Sequence, residues 1–315
     1  MSIFPMKILL ATDDSKDAEL AAKAAMDLSK RTGAQLHVVH AWLPLPHYAY
    51  PSLVPQRYHP PAYEEDARRI IKEQVGCIEQ AGIPVAEAHL VTGRPADAIL
   101  DLGEQIGAGL IVVGSRGLGS VRRLVVGSVS ESIVHQARYP VLVVRGGAEA
   151  WPPVRVVIGD DLSKDAHYAA RLGVTLGKLM EAQTLLAHAY EGMPPHPETL
   201  PQDERELYER IVEENLRQLK PALQRRAAEL ADAYGVCPQV RIVTGEAAQV
   251  LSEVAEEGGE PSSLVVVGTR GLGASERMLL GSVSTKVLRT VRGSVLDCSR
   301  GRSKEAHRDE LQTEA

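Results

Sequence analysis

The chain has 315 residues, 44% of them hydrophobic and 24% charged, with a formal net charge of −6 at pH 7. That length suits two domains better than one, and the acidic balance argues against nucleic acid or an anionic membrane as the main partner. No apolar run approaches the roughly 18 residues of a membrane helix, Lys7 interrupts the apolar start with no cleavage site after it, and three scattered cysteines (Cys77, Cys237, Cys298) without CxxC spacing point to the reduced cytoplasm and incidental thiols.

In chain order, Lys7–Thr12 reads as a short apolar strand, and Ser15 offers an N-cap for a helix with Ala18, Ala21, Ala25 and Leu28 along one stripe. Gln35–Ala41 is a second strand, followed by an irregular stretch over 43–61 rich in Pro, Tyr and His. Ala67, Ile71, Val75 and Ile78 recur at helical spacing, Pro84–Val91 alternates as a third strand, and Pro95–Gly103 starts a further helix. Leu110–Val113 is the fourth strand, a helix begins near Ser128, and Pro140–Val144 is the fifth strand.

The order then repeats. KILLATDDSKDA at 7–18 returns as RVVIGDDLSKDA at 155–166, and VTG at 91–93 as VTG at 243–245. GSRGLGSVRRLVVGSVSESI at 114–133 returns as GTRGLGASERMLLGSVSTKV at 268–287, with 10 of 20 positions identical. The offset grows from 148 residues at the first strand to 152 at VTG and 154 at the glycine loop, so length changed between elements but not within that loop. The second copy has a shorter irregular stretch (192–202) and a longer helix over about 203–234, with a kink expected at Pro221. Residues 1–148 and 149–300 are therefore read as two domains and 301–315 as a disordered tail. Val/Ile/Leu-rich strands alternating with helices imply an α/β fold with parallel sheets covered on both faces. Ligands then bind beyond the carboxyl ends of the strands.

The most informative motif is G-x2-G-x9-G-S, at Gly114, Gly117, Gly127 and Ser128 and again at Gly268, Gly271, Gly281 and Ser282. Gly114 stands where a strand must turn sharply, and a positive φ is expected there. Gly117 lets the backbone approach a phosphate, and Gly127-Ser128 opens a helix whose first N–H groups point at an anion. Arg116 and Arg270 lie within the loops, where they either meet phosphate or stay solvated. The motif is neither the dinucleotide fingerprint G-x-G-x-x-G nor a Walker loop, since no Lys-Ser/Thr follows. Asp13 and Asp161, just past the first strand of each copy, either cap the next helix or accept from an adenine amino group or ribose hydroxyl. His40 and His188 sit in apolar strands and read as packed, hydrogen-bonded residues. No Cys/His metal spacing, nucleophile elbow or repeated Glu pair appears in the sequence, so neither a catalytic residue nor a protein-bound metal is assigned.

On these residues, together with PVLVV at 140–144, the sequence resembles the tandem universal stress proteins over residues 5–145 and 153–298. The resemblance implies two Rossmann-like, adenine nucleotide α-hydrolase-like domains of sheet order 3-2-1-4-5, paired within the chain through their fifth strands, with a homodimer also open. It implies ATP or a related adenine nucleotide in each copy, with Mg2+ or Mn2+ held through phosphate oxygens. Adenine-side contacts carry over to Thr12, Asp13 and Ala41, and to Asp160, Asp161 and Ala189. Triphosphate contacts carry over to Gly114, Gly117, Gly127, Ser128 and Val129, and to Gly268, Gly271, Gly281, Ser282 and Val283. Two departures stand out: Asp297 interrupts the last strand, putting its pairing in question, and Gly159-Asp160 replaces Ala11-Thr12. The function implied is an ATP-binding regulator of the stress response with slow or no hydrolysis. The alternative is an adenylating or slow ATPase enzyme of the same α-hydrolase-like class, whose SGGxDS, HIGH and KMSKS signatures do not occur here.

Overall fold

The computed structural model describes residues 4–43, 60–116, 126–147, 149–190, 201–257, 262–269 and 281–298, with the backbone alone for 60–63. The proposed tail at 301–315, both irregular stretches (43–61 and 192–202) in large part, and the glycine-loop residues Gly117, Arg270 and Gly271 lie outside them.

The first half runs β1 (Lys7–Ala11), α1 (Lys16–Thr32), β2 (Gln35–Trp42), α2 (Pro60–Gln80), β3 (Val85–Thr92), α3 (Pro95–Ile106), β4 (Leu110–Gly114), α4 (Ser128–Gln136) and β5 (Val141–Val144). The second runs β6 (Arg155–Gly159), α5 (Lys164–Met180), β7 (Gln183–Tyr190), α6 (Gln202–Tyr234), β8 (Gln239–Thr244), α7 (Ala247–Glu256), β9 (Ser263–Gly268), α8 (Ser282–Thr290) and β10 (Ser294–Cys298). The expected elements are all present, with ends shifted by one to three residues. α6 passes through Pro221 as one helix of 33 residues.

Local chemistry explains the helix ends. Ser15 and Ser163 cap α1 and α5, their hydroxyls accepting from the amides of Ala18 (3.2 Å) and Ala166 (3.1 Å). Gly33 closes α1 in the left-handed conformation at φ 72°. Asp17 and Glu19 in the first turn and Lys30 and Arg31 in the last complement the helix dipole.

The strands form one sheet ordered β3-β2-β1-β4-β5-β10-β9-β6-β7-β8. Each half has the order 3-2-1-4-5 in its own strands, parallel throughout, and the halves meet where β5 and β10 pair antiparallel. Along that seam Val143 faces Val295, Leu142 faces Leu296 and Val141 faces Asp297. The charge in β10 therefore does not prevent pairing: Asp297 is 2% exposed, and its Oδ1 accepts from the Thr269 hydroxyl at 3.1 Å.

Two apolar layers cover the sheet, and both cross the seam. One packs α1, α2, α5 and α6 against residues such as Ile8, Leu10, Val156 and Ile158. The other packs α3, α4, α7 and α8 against Leu9, Val39, Val157 and Leu185. Arg145, just after β5, reaches across to the other half. Its Nη1 and Nη2 donate to the carbonyls of Val291 (2.6 Å) and Leu288 (2.8 Å), where a cation complements the C-terminus of α8. Burial lowers its pKa to about 10, with Arg116 adding to the fall and Asp17 opposing it, so the guanidinium stays charged at neutral pH. No helix among the described residues is long and apolar enough to cross a membrane.

Candidate functional site

The carboxyl ends of β1 and β4 lie side by side, with Ala11 opposite Val113, and this is where both sequence motifs converge. β4 ends at Gly114, which lacks the positive φ expected from its place at a turn. Its need for glycine is a close approach instead. A Cβ there would lie 2.6–2.8 Å from the backbone of Asp17 and Ala18, so the absent side chain lets the first turn of α1 sit on the strand end. Gly268 repeats the arrangement, with a Cβ 2.8–3.0 Å from the backbone of Asp165 and Ala166. Backbone cannot rotate aside as a side chain does. Gly114→Ala is therefore expected to cost about 1–3 kcal/mol in urea unfolding, and Gly268→Ala less, because its contacts are longer.

Past β4 the loop is anchored at both feet. The Ser15 hydroxyl donates to the Arg116 carbonyl (3.1 Å), the Ser115 hydroxyl to Asp17 Oδ2 (2.6 Å), and the Ser130 hydroxyl to the Gly114 carbonyl (2.7 Å). The Gly127 amide donates to the Ser115 carbonyl at 2.7 Å, closing the loop. The second half repeats this closure, with Gly281 N–H to the Thr269 carbonyl (2.7 Å) and the Ser284 hydroxyl to the Gly268 carbonyl (2.8 Å). Gly127, which the resemblance places among the triphosphate contacts, thus gives its own amide to this closure. The open donors start one residue later.

Those donors define the site. Gly127 and Gly281 are the N-caps of α4 and α8, both extended (φ −67°, ψ 146° and φ −73°, ψ 154°), and neither helix has a side-chain cap. The Ser-capped α1 and α5 satisfy one of these amides internally. In α4 the amides of Ser128, Val129 and Ser130 precede the first intrahelical bond, which Glu131 makes to the Gly127 carbonyl. Ser128, Ser282 and Val283 are exposed, and Val129 is half-buried against the core. Such an end, with its partial positive charge and no side-chain cap among the described residues, suits an anion.

The other residues singled out in the sequence have partners within the protein. Arg116 is partly exposed, and its Nε and Nη2 donate to the Asp17 carboxylate at 3.0 and 3.2 Å. Asp13 and Asp161 do not cap the helices, which Ser15 and Ser163 do. Their Oδ1 atoms accept from the Ser15 and Ser163 amides (3.1 and 3.0 Å), an Asx turn that sets up each cap. Thr12 donates from its hydroxyl to Gln74 Oε1 on α2 at 3.0 Å. His40 and His188 are hydrogen-bonded, with Nδ1 donating to the Thr12 carbonyl (2.8 Å) and the Asp160 carbonyl (2.6 Å). Ala41 and Ala189, half-buried at the ends of β2 and β7, flank the same cleft.

The halves differ most at Asp160. Its fully buried carboxylate receives Nη1 of Arg226 at 2.9 and 3.0 Å and the Leu162 amide at 2.7 Å. Arg226, on α6, also donates to the Leu162 carbonyl (3.3 Å). In the first half the same position is Thr12, uncharged and bonded to Gln74. Arg226 was missed in the sequence because it lies 66 residues from its partner, in a helix segment whose other charges are exposed.

A universal stress protein family model matches residues 6–145 and 154–296. A curated universal stress protein of Thermus aquaticus is 41% identical over 140 residues, covering 44% of this chain and 97% of that protein. A solved universal stress protein from Archaeoglobus fulgidus superposes with a TM-score of 0.64 at 23% identity, covering 94% of this chain and 98% of its own. A functionally unknown protein from Pseudomonas aeruginosa superposes at 0.65 with 16% identity, over 99% of this chain and 98% of its own.

Proposed function

The chain belongs to the universal stress protein family, and we propose that it is an ATP-binding regulator of the stress response with one adenine-nucleotide site in each half. The observation that carries the reading is the pair of uncapped helix N-termini, α4 and α8, each preceded by glycine at the mouth of the β1/β4 or β6/β9 cleft. Phosphates would be held by the amides of Ser128, Val129 and Ser130 and of Ser282, Val283 and Ser284, with the hydroxyls of Ser128 and Ser282 as further donors. The close approaches at Gly114 and Gly268 bring α1 and α5 against the loops. Adenine and ribose would sit toward Thr12, Asp13 and Ala41, and toward Asp161 and Ala189. Mg2+ or Mn2+ would be bound through the phosphates, adding charge neutralisation there.

Asp160 is withdrawn from this role by Arg226, so the second site differs from the first on its adenine side, and unequal affinities follow. At most slow hydrolysis is expected, since no Lys follows the glycines to clamp the phosphates. The Asx turn at Asp13 engages its Oδ1, and its Oδ2 would face the nucleotide. The paired β5 and β10 leave no fifth-strand edge for a homodimer, so a dimer would need another surface. The cytoplasm remains the compartment that suits the sparse cysteines.

Native mass spectrometry of the gently purified chain tests the reading. Retained adenine nucleotide, up to two per chain, is expected. A chain carrying none and taking up none from added ATP, ADP or AMP would contradict it.

A further inference from the structure

A second polar cluster lies at the other end of the sheet. His37 enters β2 two residues after its start, and Glu87 and His89 lie on β3, with His37 in register with Glu87 and Val39 with His89. The two-residue period of a strand puts all three side chains on one face. His37 Nδ1 lies 3.2 Å from His89 Nε2, and Glu87 Oε2 lies 3.7 Å from the same nitrogen. The three ligand atoms all fall within 4.8 Å of one another.

We propose that His37, His89 and Glu87 form a binding site for a divalent transition-metal ion of the zinc class, separate from the nucleotide sites. A tetrahedral Zn2+ with bonds of about 2.0–2.1 Å holds its ligand atoms about 3.3–3.4 Å apart. The two spacings at His89 fall on either side of that value, so a small movement of the exposed Glu87 side chain completes three corners. Two imidazoles and a carboxylate are a ligand set this ion takes, with a fourth position left for water. His37 is 6% exposed, its Nδ1 is hydrogen-bonded to His89 Nε2, a contact the ion would replace, and its Nε2 has no hydrogen-bond partner among the described residues. Burial lowers the pKa of His37, helped by His89 and Lys7 and opposed by Glu87. Lys7 itself is held off by the Ile106 carbonyl, to which its Nζ donates at 2.9 Å.

The second half supplies an internal control. Leu185 stands opposite Gln239 and Ala187 opposite Arg241 in the same register of β7 and β8. The three corresponding positions are thus Leu185, Gln239 and Arg241, and Arg241 pairs with Glu257 instead. That set offers no imidazole, thiolate or carboxylate, and it shows that this fold accepts leucine where the first half has His37.

The test uses the full chain stripped of nucleotide and metal, titrated calorimetrically with Zn2+ alone. Wild type is expected to bind one tight equivalent. His37→Leu and His89→Gln, each checked for folding by circular dichroism, should weaken it at least tenfold, since even an outer-shell change costs about 10–100-fold. Co2+ in place of Zn2+ should give a tetrahedral absorption spectrum without thiolate charge transfer, which separates this site from the exposed Cys77 and Cys237. No tight equivalent in wild type, or one whose affinity both variants retain, would overturn the proposal. No nucleotide enters the experiment, so its outcome is independent of the phosphate sites.

Discussion

Gly127→Val is expected to weaken ATP binding at the first site by at least about a hundredfold while leaving the second site intact. The residue is extended at φ −67° and ψ 146°, a conformation valine adopts without strain. Its amide bond to the Ser115 carbonyl is a backbone contact and survives the change. What changes is the mouth of α4, where a branched side chain would stand over the amides of Ser128, Val129 and Ser130. Losing even two charge-assisted hydrogen bonds, each worth roughly 1.5–3 kcal/mol, exceeds the roughly 2.7 kcal/mol of a hundredfold change. Gly281→Val should do the same at the second site alone, because each half supplies its own loop. Calorimetric titration of each single variant checks this, with melting curves to confirm the fold. A folded Gly127→Val that still fills two sites at wild-type affinity would show the glycine to be a turn residue and nothing more.

The second large effect is structural. Arg226→Ala should cost about 3–5 kcal/mol, because among the described residues it leaves the buried Asp160 carboxylate with the Leu162 amide as its one hydrogen-bond donor. It also frees the β6–α5 turn, which Arg226 holds through the Leu162 carbonyl. Adding Asp160→Asn to Arg226→Ala should recover much of the loss, since a neutral amide there no longer needs a counter-charge. Urea unfolding of the two single variants and the double variant closes that cycle. A loss below about 1 kcal/mol in Arg226→Ala would place the pair in solvent-like surroundings and contradict the burial.

Both effects bear on what a sequence can and cannot reveal. Strand and helix positions were legible because their causes are local: runs such as Leu110–Val113, the Ser15 cap, and Gly127 just before a helix. The reason for Gly114 was not, because a positive φ and a close approach both select glycine, and only the distance to the Asp17 backbone separates them. The partners of Arg116, Asp160 and Asp297 were hidden for a different reason. Each is chosen by a contact between elements 28 to 99 residues apart, and a charged residue's own neighbours in sequence do not predict it. Asp297 looked incompatible with a paired strand until Thr269, at the end of the adjacent β9, supplied a hydroxyl. The His37 cluster escaped because its ligands are spread over two strands, 52 residues from His37 to His89, whereas metal motifs are recognised by short spacing. An isolated Glu-x-His on an edge strand was its one trace in the sequence.

The most direct test of the nucleotide reading is calorimetric titration of the nucleotide-free wild-type chain with ATP and Mg2+. Two binding events per chain are expected, of unequal affinity because Arg226 occupies Asp160 in the second half only, with the tighter near the micromolar range or about −8 kcal/mol. Absence of any binding heat with ATP, ADP and AMP, in Mg2+ and in Mn2+ alike, would contradict the assignment of α4 and α8 as phosphate sites.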